Sequence, residues 1–135
     1  MHALLVGKRA VVVGVPGAFT PVCTREHVPG LVAQADRLRA SGVDYVICVT
    51  PDNPWVTKAW SHEVDPAAKL MFLSDDNLAL ARALGVNVVD QRLCLGETSS
   101  LYMLLVDRGL VRRLSVEPRV SDLTCTRAQD VVFID

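Results

Sequence analysis

The chain switches repeatedly between β-branched runs and segments with helical spacing. Residues 10–15, "AVVVGV", are continuously apolar, which suits a strand buried on both faces. Pro16-Gly17 ends that run. A helix start is expected near Thr20-Pro21, with Thr20 as N-cap and Pro21 in the first helical position. Pro29-Gly30 is expected to interrupt this helix, which resumes with Leu31, Val32, Ala35 and Leu38 on one face and stops at Gly42. "DYVICVT", residues 44–50, reads as a second buried strand. "PDNPWVTKAWSHE" reads as a loop and a helix with Trp55, Val56 and Ala59 turned inward. "KLMFLSD" is a third strand, and "DNLALARALG" is a helix ending at Gly85. Residues 86–98 carry no clear period. "SLYMLLVDRGLVRRLSVEP" is a β-hairpin turning at Asp107-Arg108-Gly109, and "SDLTCTRAQDVVFID" offers a loop at Cys125 and a short final helix.

Parallel crossovers followed by a late antiparallel pair predict an α/β fold: a thioredoxin-like three-layer sandwich with a mixed central sheet, as one domain over residues 1–135. A flavodoxin-like sheet is the competing plan, but it lacks the hairpin.

Composition narrows the function. Hydrophobic residues make up 50% of the 135 and aromatics only 5%, so a full core is available and it is built mostly of Val, Leu and Ala. A net charge of −1 gives no attraction to nucleic acid or to anionic lipid. Lys8 and Arg9 break the apolar start, so it does not read as a signal peptide, and no run of about 20 apolar residues could span a membrane. The expectation is a soluble protein of a reducing compartment, the cytoplasm first and an organelle second, with no cofactor and no metal.

The four cysteines are Cys23, Cys48, Cys94 and Cys125, and none forms a C-x-x-C pair. That spacing speaks against a zinc ribbon and against a thioredoxin-type dithiol. Cys23 falls in the first turn of the helix after the first strand. Unpaired N–H groups and about +0.5 charge there would favour a thiolate. A thiol of pKa near 8.5 is only about 3% ionised at pH 7, whereas one near 6 is about 90% ionised. Thr20 lies one helical turn earlier, within reach of the sulfur, and Arg25 and His27 are nearby sources of positive charge. No general base is evident, so the matching substrate carries its own good leaving group, as a peroxide does. Two plainer readings stand beside this one. A buried cysteine is commonly an inert small hydrophobe, and Cys23 with His27 at i, i+4 would make half a zinc site.

"PGAFTPVC", residues 16–23, fits the P-x-x-x-T-x-x-C signature of peroxiredoxins. The longer "GVPGAFTPVCTREHVPG" resembles the branch holding the atypical two-cysteine type-five and plant type II proteins. "ASGVDYVICVT", "WVTKAW" and "VEPRVSDLTC" extend the resemblance over nearly the whole chain. It implies that Cys23 is the peroxidatic cysteine and becomes a sulfenic acid on attacking a hydroperoxide. It implies that Thr20 hydrogen-bonds thiolate and peroxide, and that Pro16 shields the sulfenic acid. Cys125 matches the resolving cysteine that forms an intramolecular disulfide, which a thioredoxin-like reductant reopens. Cys48 matches a non-catalytic cysteine, and Cys94 has no counterpart. A homodimer is also implied.

Two positions depart from that pattern. The family's arginine, just before the aromatic residue that opens the late hairpin, is here Leu101. A positive residue after "W-x" in the second helix is replaced by His62. Loss of one donor aimed at developing charge typically costs about 10²–10³ in rate. The sequence therefore supports a thiol peroxidase first, and second a weakly active redox sensor or binding module on the same fold. A disulfide oxidoreductase is disfavoured by the missing C-x-x-C.

Overall fold

The computed structural model describes residues 2–118. Its centre is a five-stranded mixed sheet. The strands are β1 (Arg9–Gly14), β2 (Tyr45–Thr50), β3 (Met71–Ser74), β6 (Tyr102–Asp107) and β7 (Leu110–Val116), in spatial order β3-β2-β1-β6-β7. β1 pairs parallel with β2 and antiparallel with β6. The antiparallel pair excludes the flavodoxin-like alternative and gives the expected thioredoxin-like plan.

Alternation along β1 sends its side chains to two separate cores. Val11, Val13 and Val15 pack with Leu31, Ala35 and Leu38 of α2 (Val28–Ala40) and Trp60 of α3 (Pro54–Val64). Ala10 and Val12 pack with Leu78, Ala81 and Val86, around α4 (Ala79–Leu84), on the opposite face. A four-residue helix, α1 (His2–Leu5), adds Leu5 to that second core. Cys23, Cys48 and Leu101 belong to the first core, on the α2–α3 side.

Three expectations change. Pro29 does not break the helix. The turn Cys23–His27 widens to π geometry, with Val28 N–H bonded to the Cys23 carbonyl, and α2 continues with Pro29 inside its first turn. Proline cannot donate to a carbonyl four residues back, and its ring crowds that carbonyl; a shifted hydrogen-bond register accommodates both. In α3 the inward residues are Thr57 and Trp60, whereas Trp55 is 80% exposed and Ala59 is exposed. Asn53 caps this helix through Val56 N–H, which fixes its starting phase and turns Trp55 outward. Residues 86–98 form a separate hairpin of β4 (Asn87–Asp90) and β5 (Gly96–Ser99). Its outer half is solvent-exposed on alternating positions, so it leaves no continuous apolar run to read.

The late hairpin turns where expected. Arg108 and Gly109 both have positive φ, 53° and 83°, which matches the twist of a two-residue connection.

Candidate active site

Strand β1 delivers the chain to the site, and Gly14 lets it do so. A Cβ at Gly14 would sit 1.8 Å from the Tyr102 ring, which lies across the ladder from it and fills that space. Beyond Gly14, the Val15 N–H donates to the Val49 carbonyl at 2.9 Å, extending the β2 pairing into the loop.

The loop 16–20 is then held from two sides. From the β4–β5 hairpin, Thr98 donates its hydroxyl to the Pro16 carbonyl, and Ser99 donates to the Val15 carbonyl at 3.2 Å. From the β2–α3 connection, Asp52 accepts the Ala18 N–H at 2.7 Å. Immediately after the Ala18 anchor, Phe19 takes φ 63°, left-handed backbone that costs a bulky residue about 1–2 kcal/mol. The Phe19 side chain is 55% exposed. Pro16 and Gly17 are buried.

Thr20 immediately precedes the helical turns that begin at Pro21. Its hydroxyl donates to the Gly17 carbonyl at 2.8 Å. The same side chain lies near the Cys23 sulfur and lowers its pKa, the sense that favours the thiolate. One O–H proton therefore faces two acceptors. The hydroxyl bonds backward into its own turn, so Thr20 is part of the loop's internal framework as well as the residue that opens the helix.

Cys23 is fully buried. Here the structure reverses the electrostatic expectation. Burial pushes its thiol up to about 11 from an ordinary 9.0, outweighing the Thr20 hydrogen bond and the residue's own backbone N–H. Desolvation dominates because Cys23 lies in an apolar core, with Val13, Val28 and Leu101 among its members, whose side chains offer no hydrogen bonds to an anion. Arg25, Arg92 and Arg112 are exposed and are not among the causes of the shift, so none supplies the charge that Leu101 lacks. His27 is buried in the π turn, and His62 is exposed. Among the described residues no cluster of metal-ligating side chains occurs, which leaves Cys23 and His27 without further ligands.

The other cysteines separate clearly. Cys48, in β2, is fully buried; its thiol is raised well above the ordinary range by burial first and by the nearness of Cys23 second. Cys94 is exposed, in the β4–β5 turn. Cys125 lies outside the described residues. Leu101 is fully buried where β6 begins, in the same apolar cluster as Cys23. Sequence reasoning missed Asp52, Thr98 and Ser99. They reach the loop across 34, 82 and 84 residues of chain, and no local pattern announces contacts of that range.

Elsewhere a cavity of about 450 Å³ lies between α3 and β3, lined by Thr57, Lys58, Ser61 and Phe72 among others, and no residue of the cysteine loop borders it.

Sheet order and loop together define a thioredoxin-like protein with a buried cysteine one helical turn past a threonine. Residues 1–131 match the Redoxin family model. The chain is 43% identical over 117 residues to the chloroplastic Peroxiredoxin-2E-2 of Oryza sativa subsp. japonica, covering 84% of this chain and 52% of that protein. The chain thus spans about half the length of that relative. It is 34% identical over 132 residues to Peroxiredoxin-2B of Arabidopsis thaliana, covering 98% of this chain and 81% of the relative. The crystal structure of reduced Prx3 in complex with H2O2 from Vibrio vulnificus superposes with a TM-score of 0.87 at 34% identity, over 96% of this chain and 81% of the other. The chain belongs to the peroxiredoxins of the redoxin family. Among the described residues no helix is long and apolar enough to cross a membrane.

Proposed function

We propose that this chain is a thiol-dependent peroxidase acting on hydrogen peroxide and organic hydroperoxides through Cys23. The Cys23 thiolate attacks the outer peroxide oxygen, the O–O bond breaks, and the departing alkoxide or hydroxide takes up a proton. Cys23 is left as a sulfenic acid and the peroxide as an alcohol or water. The Cys125 thiol then attacks the Cys23 sulfur, releasing water and forming a disulfide within the chain. A thioredoxin-like dithiol restores both thiols. In this reading the chain is an atypical two-cysteine peroxiredoxin, working as one domain, as a homodimer and in the cytoplasm. Pro16 shields the sulfenic acid, and Thr20 turns its hydroxyl proton toward sulfur and peroxide.

The observation that carries the reading is a buried Cys23 one helical turn past Thr20, whose side chain favours the thiolate, inside a doubly anchored P-x-x-x-T-x-x-C loop, in a chain whose relatives are peroxiredoxins. The relative captured with H2O2 supports peroxide as the substrate class. Stopped-flow oxidation of the reduced protein by hydrogen peroxide and by an organic hydroperoxide tests it. The expected product is a Cys23–Cys125 disulfide on peptide mapping. Intact Cys23 after excess peroxide would sink the peroxidase, and Cys23 joined only to a second chain would sink the intramolecular resolution.

Leu101 favours a second reading: a slowly oxidised redox sensor or binding module, the family's arginine being absent and the thiol strongly desolvated. Oxidation too slow to compete with ordinary free thiols would select it.

A further inference from the structure

We propose that Asp52 is a positioning residue for the Cys23 site, acting through the loop that carries Thr20; the inference rests on the peroxidase reading above. Asp52 sits where β2 gives way to α3, a part of the chain separate from the β4–β5 hairpin that supplies the Thr98 and Ser99 contacts. Its carboxylate accepts the Ala18 N–H at 2.7 Å, a short charge-assisted bond. Its own placement is rigid. The Asp52 N–H donates to the Thr50 hydroxyl at 3.1 Å, that hydroxyl meets Thr57 Oγ1 at 2.8 Å, and Thr57 meets Ser74 Oγ at 2.8 Å. Thr50 and Thr57 are buried, so the hydroxyl chain ties Asp52 to the sheet and to α3 at once.

The consequence follows from the residue after Ala18. Phe19 is left-handed, a conformation that a bulky side chain leaves unless its neighbours hold it. Asp52 holds one neighbour from outside, while the Thr20 hydroxyl holds the other by closing onto Gly17. Without the carboxylate the turn relaxes through Phe19, and Thr20 loses its aim at Cys23. Asp52 is not among the causes of the Cys23 pKa shift, so its effect is geometric and not a direct charge effect.

The test is a double-mutant cycle with a conservative rescue. Asp52→Ala is expected to lower the peroxide rate constant by about 10- to 100-fold, the scale of a misplaced catalytic group. Asp52→Asn, which keeps an acceptor, should stay within about fivefold of the parent, the weaker neutral bond accounting for the remainder. Thr20→Val should cost about 10²–10³ in the parent and at least about tenfold less in the Asp52→Ala chain, because Thr20 is already misaimed there. The Cys23 thiolate midpoint, read by ultraviolet absorbance without any peroxide, should rise in Asp52→Ala and return in Asp52→Asn. Strictly additive rate losses, or a Thr20→Val cost unchanged by Asp52→Ala, would overturn the proposal. If the parent itself does not react with peroxide, the peroxidase reading fails on its own, and the thiolate midpoint alone decides for Asp52: an unmoved midpoint overturns it. Thermal melts of each variant separate loss of fold from loss of aim.

Discussion

Thr20 donates to the Gly17 carbonyl at 2.8 Å while its oxygen also lies within hydrogen-bonding reach of the Cys23 sulfur. As the thiolate forms, the single hydroxyl proton has to turn from one acceptor to the other. Thr20→Val abolishes both bonds with almost no change of shape, and should lower the rate of Cys23 oxidation by about 10²–10³. Thr20→Ser keeps the hydroxyl and should retain most of the rate. Second-order rate constants from stopped-flow fluorescence or competition kinetics check both. Equal losses in the two variants would remove the hydroxyl from the mechanism.

Burial of Cys23 makes a prediction about pH. The fold accepts the neutral thiol, so the folded pKa of about 11 lies above the unfolded 9.0. The stabilising contribution is complete below the unfolded value and is lost as pH rises through the folded one, amounting to about 2–3 kcal/mol across that window. Under reducing conditions the urea midpoint should fall between pH 9 and 11 more steeply in the parent than in Cys23→Ala. Parallel pH profiles for the two proteins would mean that solvent reaches the sulfur. For the same reason the oxidation rate should keep rising above pH 7 instead of levelling off there.

Leu101 stands where the resemblance to the peroxiredoxin pattern implies an arginine. It is wholly buried in the same apolar cluster as Cys23. Leu101→Arg should lower the thiolate midpoint and raise the peroxide rate constant together, since a guanidinium stabilises both the thiolate and the departing oxygen. Uncompensated burial of that charge would instead appear as a lower melting temperature. A stably folded Leu101→Arg protein with neither quantity changed would show that the pocket does not rely on a cation.

Gly14 is required because Tyr102 stands in its place. Gly14→Ala forces a methyl group against the ring at 1.8 Å, and both residues are buried. The cost should be about 1–3 kcal/mol, seen as a lower denaturant midpoint with an unchanged slope. Tyr102→Ala alone opens a cavity, but it should make Gly14→Ala nearly neutral in the double variant. Additive losses would mean that strand β1 shifts away instead.

Much of the architecture is legible in order along the chain. "AVVVGV" and "DYVICVT" announce buried strands because both faces of each are covered, and Arg108-Gly109 announces a turn because the twist of the hairpin demands positive φ. The motif that holds Thr20 and Cys23 is likewise local: three residues set Thr20, just before the helix, one turn from Cys23 inside it. Burial direction within α3 was not legible, because Trp55 and Trp60 are equally apolar and only the Asn53 cap sets which one faces the sheet. The β4–β5 hairpin escaped because most of its side chains meet solvent, and hydrophobic period exists only where a face is buried.

What the sequence determined by itself was the placing of a cysteine and a threonine one helical turn apart, after a strand, in a chain able to bury both. Local spacing suffices for that. Whether that cysteine is acidic was decided only by tertiary structure. A helix end argues for a thiolate, but the pKa depends on every group that replaces water around the sulfur. The apolar core that buries it gathers Val13 from β1, Val28 from α2 and Leu101 from the segment before β6. The aim of the loop was decided the same way, by Asp52, Thr98 and Ser99 arriving from distant strands and turns. Desolvation and long-range hydrogen bonds are properties of the assembled fold, and no window of neighbouring residues contains them.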